Sequence, residues 1–250
     1  MDATRIEIPT ADGSLPGLLW RPVGVPEEEH GPAIVVVQEI FGLSDYIRSR
    51  CSDFAARGMT VLAPQLFARL DPPLERLDEG MPMAQLLEQG MGAVGALDPD
   101  RARDDVRAAL ELLRAAPEVD PARVGVMGFC YGGGLAFAAA AAEISAGTPP
   151  TCLVSFYGSA LPQLLDLAPV VDLPSLHVFG TADTFIPLPV VEQVREAVTD
   201  HGRREQVRFD LFEGAGHAFD NPHPDFHHAE ASAVAWQRTE EFLDEQLLDA

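Results

Sequence analysis

Four side chains able to do chemistry stand directly after short apolar runs: Glu39, Cys130, Asp183 and His217. Cys130 is the centre of Gly128-Phe129-Cys130-Tyr131-Gly132, with Gly133 and Gly134 behind it. Glycines on both sides of a nucleophile let a strand turn sharply into a helix. The side chain is then lifted clear of the sheet and held at the positive end of the helix. That placement favours a thiolate and the oxyanion it would generate. Alone, the pattern also fits a tightly packed turn that carries an inert, buried cysteine. The two other members of a possible relay decide the matter. Asp183 follows Cys130 by 53 residues and His217 follows Asp183 by 34, each in a Gly-containing loop.

Nucleophile, acid, histidine is an order in which hydrolytic triads occur. His217 would take the thiol proton and return it to a leaving group, which suits a side chain that titrates near neutrality. Asp183 would fix the tautomer of His217 and stabilise its cationic form. The backbone N–H groups of Tyr131 and Ile40 are the expected oxyanion donors. Glu39 puts a carboxylate directly after an apolar strand, a costly place for a charge. It reads either as an ion-pair partner of an arginine or as a second partner of Cys130. His223, His227 and His228 read as a solvated helix start, because no carboxylate or cysteine cluster of metal-ligand spacing accompanies them.

The elements that must position these groups alternate between strands and helices. Arg5-Ile6-Glu7-Ile8 and residues 15–20 predict an antiparallel pair around Ala11-Asp12-Gly13-Ser14. Ala33-Ile34-Val35-Val36-Val37 is a continuous apolar run of the kind found in central parallel strands. A helix is expected from Asp45, its N-cap, to about Arg57, with Gly58 as the stop and Thr60-Val61-Leu62-Ala63 as the next strand. Residues 64–97 form a long excursion with a short helix at 83–91; it reads equally as a pocket wall or lid and as a solvated loop. Asp98-Pro99 caps a helix through Arg114 with Leu110, Leu112 and Leu113 as its apolar side. Arg123-Val124-Gly125-Val126-Met127 is the strand into the cysteine turn, and residues 135–142 start the helix after it. Strands follow at 152–158, 175–180 and 206–212, with helices at 189–198 and 225–248. Such alternation predicts one domain over residues 1–250, of α/β class, with a mostly parallel central sheet and helices on both faces.

Composition excludes other functions. The chain carries 17 basic residues, all Arg, against 39 acidic ones, a net charge of −22. A nucleic-acid partner needs a basic face, so none is expected. No apolar run reaches the length of a membrane span, and residues 1–5 lack the apolar core of a signal peptide, so a cytoplasmic protein is predicted. Three cysteines, Cys51, Cys130 and Cys152, are too few and too scattered for a disulfide framework. A redox sensor built on Cys130 would want a nearby resolving cysteine. No metal or other cofactor is expected, and the partner is a small molecule acting on a monomer or small homo-oligomer.

Gln38-Glu39-Ile40-Phe41-Gly42, Gly128-Phe129-Cys130-Tyr131-Gly132-Gly133, Gly180-Thr181-Ala182-Asp183 with Pro187, and Gly214-Ala215-Gly216-His217-Ala218-Phe219 together resemble the dienelactone hydrolase (carboxymethylenebutenolidase) family. The resemblance runs in order through nearly the whole chain. It implies an α/β-hydrolase fold, a Cys130-His217-Asp183 triad, and a Glu39 that hydrogen-bonds the resting thiol. The implied reaction is hydrolysis of a dienelactone to maleylacetate or of a related ester or lactone. Phe41, Tyr131, Phe219 and Asn221 are the implied pocket residues. One departure stands out: the family's arginine shortly after the catalytic histidine is replaced here by Asn221, beside Asp220. A second family arginine lies on the excursion, where Arg69 and Arg76 are the candidates. Loss of a bidentate carboxylate clamp points to a neutral substrate.

Overall fold

The computed structural model describes residues 2–23 and 30–249. Eight strands form one sheet in the order β1-β2-β4-β3-β5-β6-β7-β8. By their contacts the residues group into two compact units, Met1–Val126 and Met127–Ala250.

In the Met1–Val126 unit, β1 (Thr4–Thr10) and β2 (Gly13–Trp20) pair antiparallel from Thr4 opposite Leu19 to Thr10 opposite Gly13. Strand β3 (Gly31–Val37) lies parallel to β4 (Thr60–Pro64), and Ala33 through Val37 are wholly buried, as a two-faced central strand requires. Helix α1 (Asp45–Ala56) lies between them in the chain. Its N-cap is Ser44, not Asp45: the Ser44 hydroxyl accepts from the Ile47 N–H at 3.3 Å. Asp45 instead occupies the first turn, where a carboxylate complements the helix dipole.

The excursion is ordered. A 3-10 turn, Leu66–Arg69, precedes α2 (Met83–Gly95), which is four residues longer than the 83–91 reading. Residues 74–79 run back along the segment after β3: the Leu77 N–H donates to Phe41 O at 3.0 Å and the Leu43 N–H to Glu75 O at 3.1 Å. Helix α3 (Pro99–Ala115) begins as read, with the Asp98 carboxylate accepting from the N–H groups of Asp100 and Arg101. Its buried stripe is Ala102, Val106, Ala109, Leu110 and Leu113; Leu112 falls outside it, one step off the helical period.

Buried in that same stripe, Asp105 receives Arg69, whose Nε and Nη2 donate to its two oxygens at 2.9 and 2.6 Å. Arg69 also reaches Thr10 and Asp12 in the β1–β2 turn. Arg76 is engaged by Asp45 and Glu79. Both arginines of the excursion are thus committed to carboxylates of their own unit.

Strand β5 (Val119–Phe129) is longer than read and carries the chain from one unit to the other. In the Met127–Ala250 unit, α4 (Tyr131–Ala146) starts at the cysteine turn itself and ends at Gly147, left-handed at φ +82°. It is buried nearly all round, which accounts for its unbroken small and apolar composition from Gly132 to Ala142. Strands β6 (Leu153–Phe156), β7 (Ser175–Gly180) and β8 (Val207–Phe212) are parallel neighbours, and α5 (Leu188–Val198) connects the last two. The final helix, α6 (Ala229–Leu243), starts four residues later than read and closes in a π-turn, Asp244–Leu248. The delay has a local cause. His223 and His228 use ring nitrogens as backbone acceptors, from the N–H groups of Asp225 and Ala231, so this stretch is a run of turns ending in a His N-cap.

Candidate active site

The β5–α4 turn is built by steric necessity. Cys130 sits at φ 52°, ψ −118°, a conformation costing about 1–3 kcal/mol that only a well-packed surrounding sustains. A Cβ on Gly128 would lie 2.0 Å from Gly132 O, and one on Gly133 would lie 2.7 Å from Ser155 Oγ. The backbone of the turn is anchored twice: the Cys130 N–H donates to Phe156 O, and the Ser159 N–H to Cys130 O, both at 3.0 Å.

Cys130 Sγ lies 3.2 Å from His217 Nε2, and His217 Nδ1 lies 2.7 Å from Asp183 Oδ2. The second oxygen of Asp183 accepts from the N–H groups of Phe185 and Ile186 at 2.8 and 2.9 Å, so the carboxylate is fully engaged and cannot swing. The loops that carry the acid and the histidine are stitched together. The Ala182 N–H donates to Ala215 O at 2.9 Å, the Thr181 N–H to Phe212 O at 2.9 Å, and the Gly214 N–H to Thr181 Oγ1 at 2.9 Å. A side chain on Gly180 would meet Ala215 O at 2.1 Å, so the close approach requires glycine there.

Burial alone would lower the affinity of His217 for a proton. The negative charge on Cys130, the hydrogen bonds to Asp183 and Cys130 and the charge on Asp183 outweigh it and raise the histidine to about 10. The other two thiols are inert by comparison. Cys51 and Cys152 are completely buried, and desolvation pushes both upward, Cys152 to about 12.

The other sequence candidates fall in varied places. Phe219 is wholly buried, its ring packed on Tyr157, Phe156 and Phe212. It supports the histidine loop from within and does not face open space, contrary to its reading as a pocket residue. Asn221 is buried as well, and its Oδ1 accepts from the His223 N–H at 3.0 Å, a turn-forming role. Tyr131 is half-buried at the start of α4. In the Met1–Val126 unit, Glu39 is buried and accepts from the Ser44 hydroxyl at 3.1 Å. Ile40 and Phe41 are buried in the segment after β3, and α2 seats Gly90 on the Ile40 carbonyl, where a Cβ would come within 2.8 Å.

Three neighbours of the reactive groups escaped the sequence reading. The rings of Tyr157 and Phe185 lie 5.3 and 5.1 Å from that of His217, and Phe185 is more than half exposed. Ser159 Oγ lies 3.6 Å from Cys130 Sγ. The available signal was the Tyr157-Gly158-Ser159 turn at the carboxyl end of β6, the end of a parallel sheet at which functional groups collect.

A mostly parallel eight-stranded sheet whose strand–turn–helix corner presents a strained, Gly-flanked cysteine is an α/β-hydrolase fold. Residues 16–247 match the dienelactone hydrolase family, and the chain belongs to it. It is 32% identical to a carboxymethylenebutenolidase of Pseudomonas putida, over 95% of this chain and 94% of that one. It is 31% identical to carboxymethylenebutenolidase 1 of Cupriavidus pinatubonensis, over 88% and 89%. Among solved structures, a dienelactone hydrolase-like promiscuous phosphotriesterase from metagenomic libraries superposes with a TM-score of 0.76 at 26% identity, covering 99% of this chain and all of the other. The chain is accordingly a hydrolase of carboxylic esters or lactones.

Proposed function

We propose that the enzyme cleaves a neutral ester or lactone through Cys130, His217 and Asp183. The unbroken hydrogen-bonded line from sulfur to imidazole to carboxylate carries this reading. His217 takes the Cys130 proton as Sγ attacks the acyl carbon, and the carbonyl oxygen becomes an oxyanion held by the N–H groups of Tyr131 and Ile40. His217 gives its proton to the departing alkoxide, leaving an acyl thioester. In a lactone that alcohol stays tethered to the acyl chain. His217 then takes a proton from water, the hydroxide adds to the thioester, and collapse expels the thiolate and releases the acid. Asp183 holds the imidazole in the required tautomer and balances its charge. Glu39 is assigned as the second partner of the resting thiol. Glu39 and Ile40 enter on the sequence motif.

Neutrality of the substrate is supported by the fate of the cations. Asn221 stands where the family resemblance expects an arginine, and Arg69 and Arg76 are already paired with carboxylates. Removing one partner of a desolvated charge pair costs about 2–5 kcal/mol, which would lower kcat/KM for an anionic lactone by tens- to thousands-fold. Side-by-side kinetics test both halves. The unmodified enzyme should prefer p-nitrophenyl acetate to dienelactone, and Cys130→Ala should lose about three orders of magnitude on either. Retained turnover in Cys130→Ala would overturn the nucleophile; a clear preference for dienelactone would overturn the neutral substrate.

A further inference from the structure

We infer that the hydroxyl of Ser159 is a further catalytic group, a hydrogen-bond partner of the Cys130 sulfur that donates to it whenever the sulfur is anionic. This rests on the assignment of Cys130 as the nucleophile. Ser159 Oγ lies 3.6 Å from Sγ, a length suited to a large sulfur atom, while His217 Nε2 reaches the sulfur at 3.2 Å. Within the Met127–Ala250 unit the sulfur therefore meets both a group that takes its proton and a group that does not.

The position of that hydroxyl is tightly determined. The Ser159 N–H donates to the carbonyl of Cys130 itself, at 3.0 Å, and the Cys130 N–H returns a bond to Phe156 O at the same length. Between them, Tyr157 is held at φ 38° with its N–H on Val178 O at 2.7 Å. At Gly158 an added Cβ would lie 2.6 Å from Ser155 Oγ and 2.8 Å from Leu161 Cδ1, so the turn is packed closely enough there to require glycine. One main-chain bond thus ties Cys130 to Ser159 directly and a second ties it to Phe156 at the start of the same turn, so nucleophile and hydroxyl move together.

The chemistry follows from the dual nature of a hydroxyl, which accepts as well as donates. Towards a neutral thiol it accepts the S–H; towards a thiolate it rotates and donates. No proton leaves the serine in either state, so the His217 relay is unchanged. A donor to the charged form stabilises it, which raises the thiolate fraction and eases expulsion of the thiolate when the second tetrahedral intermediate collapses. In the thioester the sulfur is uncharged and the interaction is weak, so the group acts at the steps where charge returns to sulfur.

The test is the pH profile of Cys130 alkylation by iodoacetamide, with the site located by mass spectrometry. Four proteins are compared: the unmodified enzyme, Ser159→Ala, and the near-isosteric pair Ser159→Thr and Ser159→Val. Loss of the hydroxyl in the Ala and Val proteins should move the alkylation midpoint upward by about one pH unit, a tenfold smaller thiolate fraction at a given pH below it. Ser159→Thr should keep the original midpoint, and kcat/KM for p-nitrophenyl acetate should shift along the pH axis with the alkylation midpoint. An unchanged midpoint in Ser159→Val, or equal shifts in Thr and Val, would overturn the inference while leaving Cys130 as nucleophile. Failure of iodoacetamide to modify Cys130 in the unmodified, active enzyme would overturn both.

Discussion

Single residues here divide into those that hold charge and those that must not. His177 belongs to the second kind. It is wholly buried on β7, its ring stacked on Phe209 and edge-on to Phe137, and neither ring nitrogen has a hydrogen-bond partner. Desolvation lowers it to about 3, so the folded chain refuses a proton that the unfolded chain accepts from about pH 6.5 downward. Stability from this source is complete above that pH and falls as pH drops towards 3. Between pH 7 and pH 5 the loss amounts to about 2 kcal/mol. In His177→Phe, denaturant unfolding should show a pH 7-to-5 loss smaller by about that amount, with the carboxylates common to both proteins cancelling. Equal losses in the two proteins would mean that the site admits a proton after all. The nearness of Cys130, Asp183 and His217, the proposed triad, was legible from sequence because each is announced by glycines that the backbone geometry demands. Ser159 was not, since its nearness to Cys130 arises from two neighbouring strand ends and not from chain spacing.

Elements were legible where one physical rule governs them and illegible where neighbours do. The buried run of β3 and the Asp98-Pro99 cap needed no tertiary information. The excursion did, because its residues 74–79 are held by main-chain bonds to residues 41–43, which leave no periodic trace in side chains. Helix α2 is similarly obscure: it exposes most of its surface, buries only Leu86 and Gly90, and contains Gly90, Gly92 and Gly95. These glycines are not equivalent. Gly92 faces open space, whereas Gly90 rests on the Ile40 carbonyl. Gly92→Ala should therefore stabilise the protein, by up to ~1 kcal/mol, with activity intact. Gly90→Ala should displace Ile40 and lower kcat/KM for p-nitrophenyl acetate several-fold. Matching activity in the two variants would show that the seat of α2 has no bearing on Ile40 as the proposed oxyanion donor.

For the whole molecule, the net charge of −22 outweighs any individual pairing. Several arginines are spent on acids three residues away, among them Arg50–Asp53, Arg103–Asp100, Arg195–Glu192 and Arg203–Asp200. Exposed pairs of this kind contribute ~0–1 kcal/mol each, and the surplus carboxylates repel one another across the surface. Salt weakens both the pairing and the repulsion, and with so large an acidic surplus the relief of repulsion prevails. Raising NaCl from ~0.05 to ~0.5 M, which shortens the screening length from roughly 14 to 4 Å, should raise Tm by about 2–4 °C. A falling Tm would mean that the pairs dominate. The stitched loops bearing Asp183 and His217 have a different consequence, one of modularity. Asp183 and His217, the proposed acid and base, sit on two segments far apart in sequence, yet three hydrogen bonds and a glycine contact bind them into one piece. Residues 180–186 and 212–217 therefore form a single cassette: grafted together into another scaffold they would bring their own relay geometry, and either one grafted alone would leave its partner without a template.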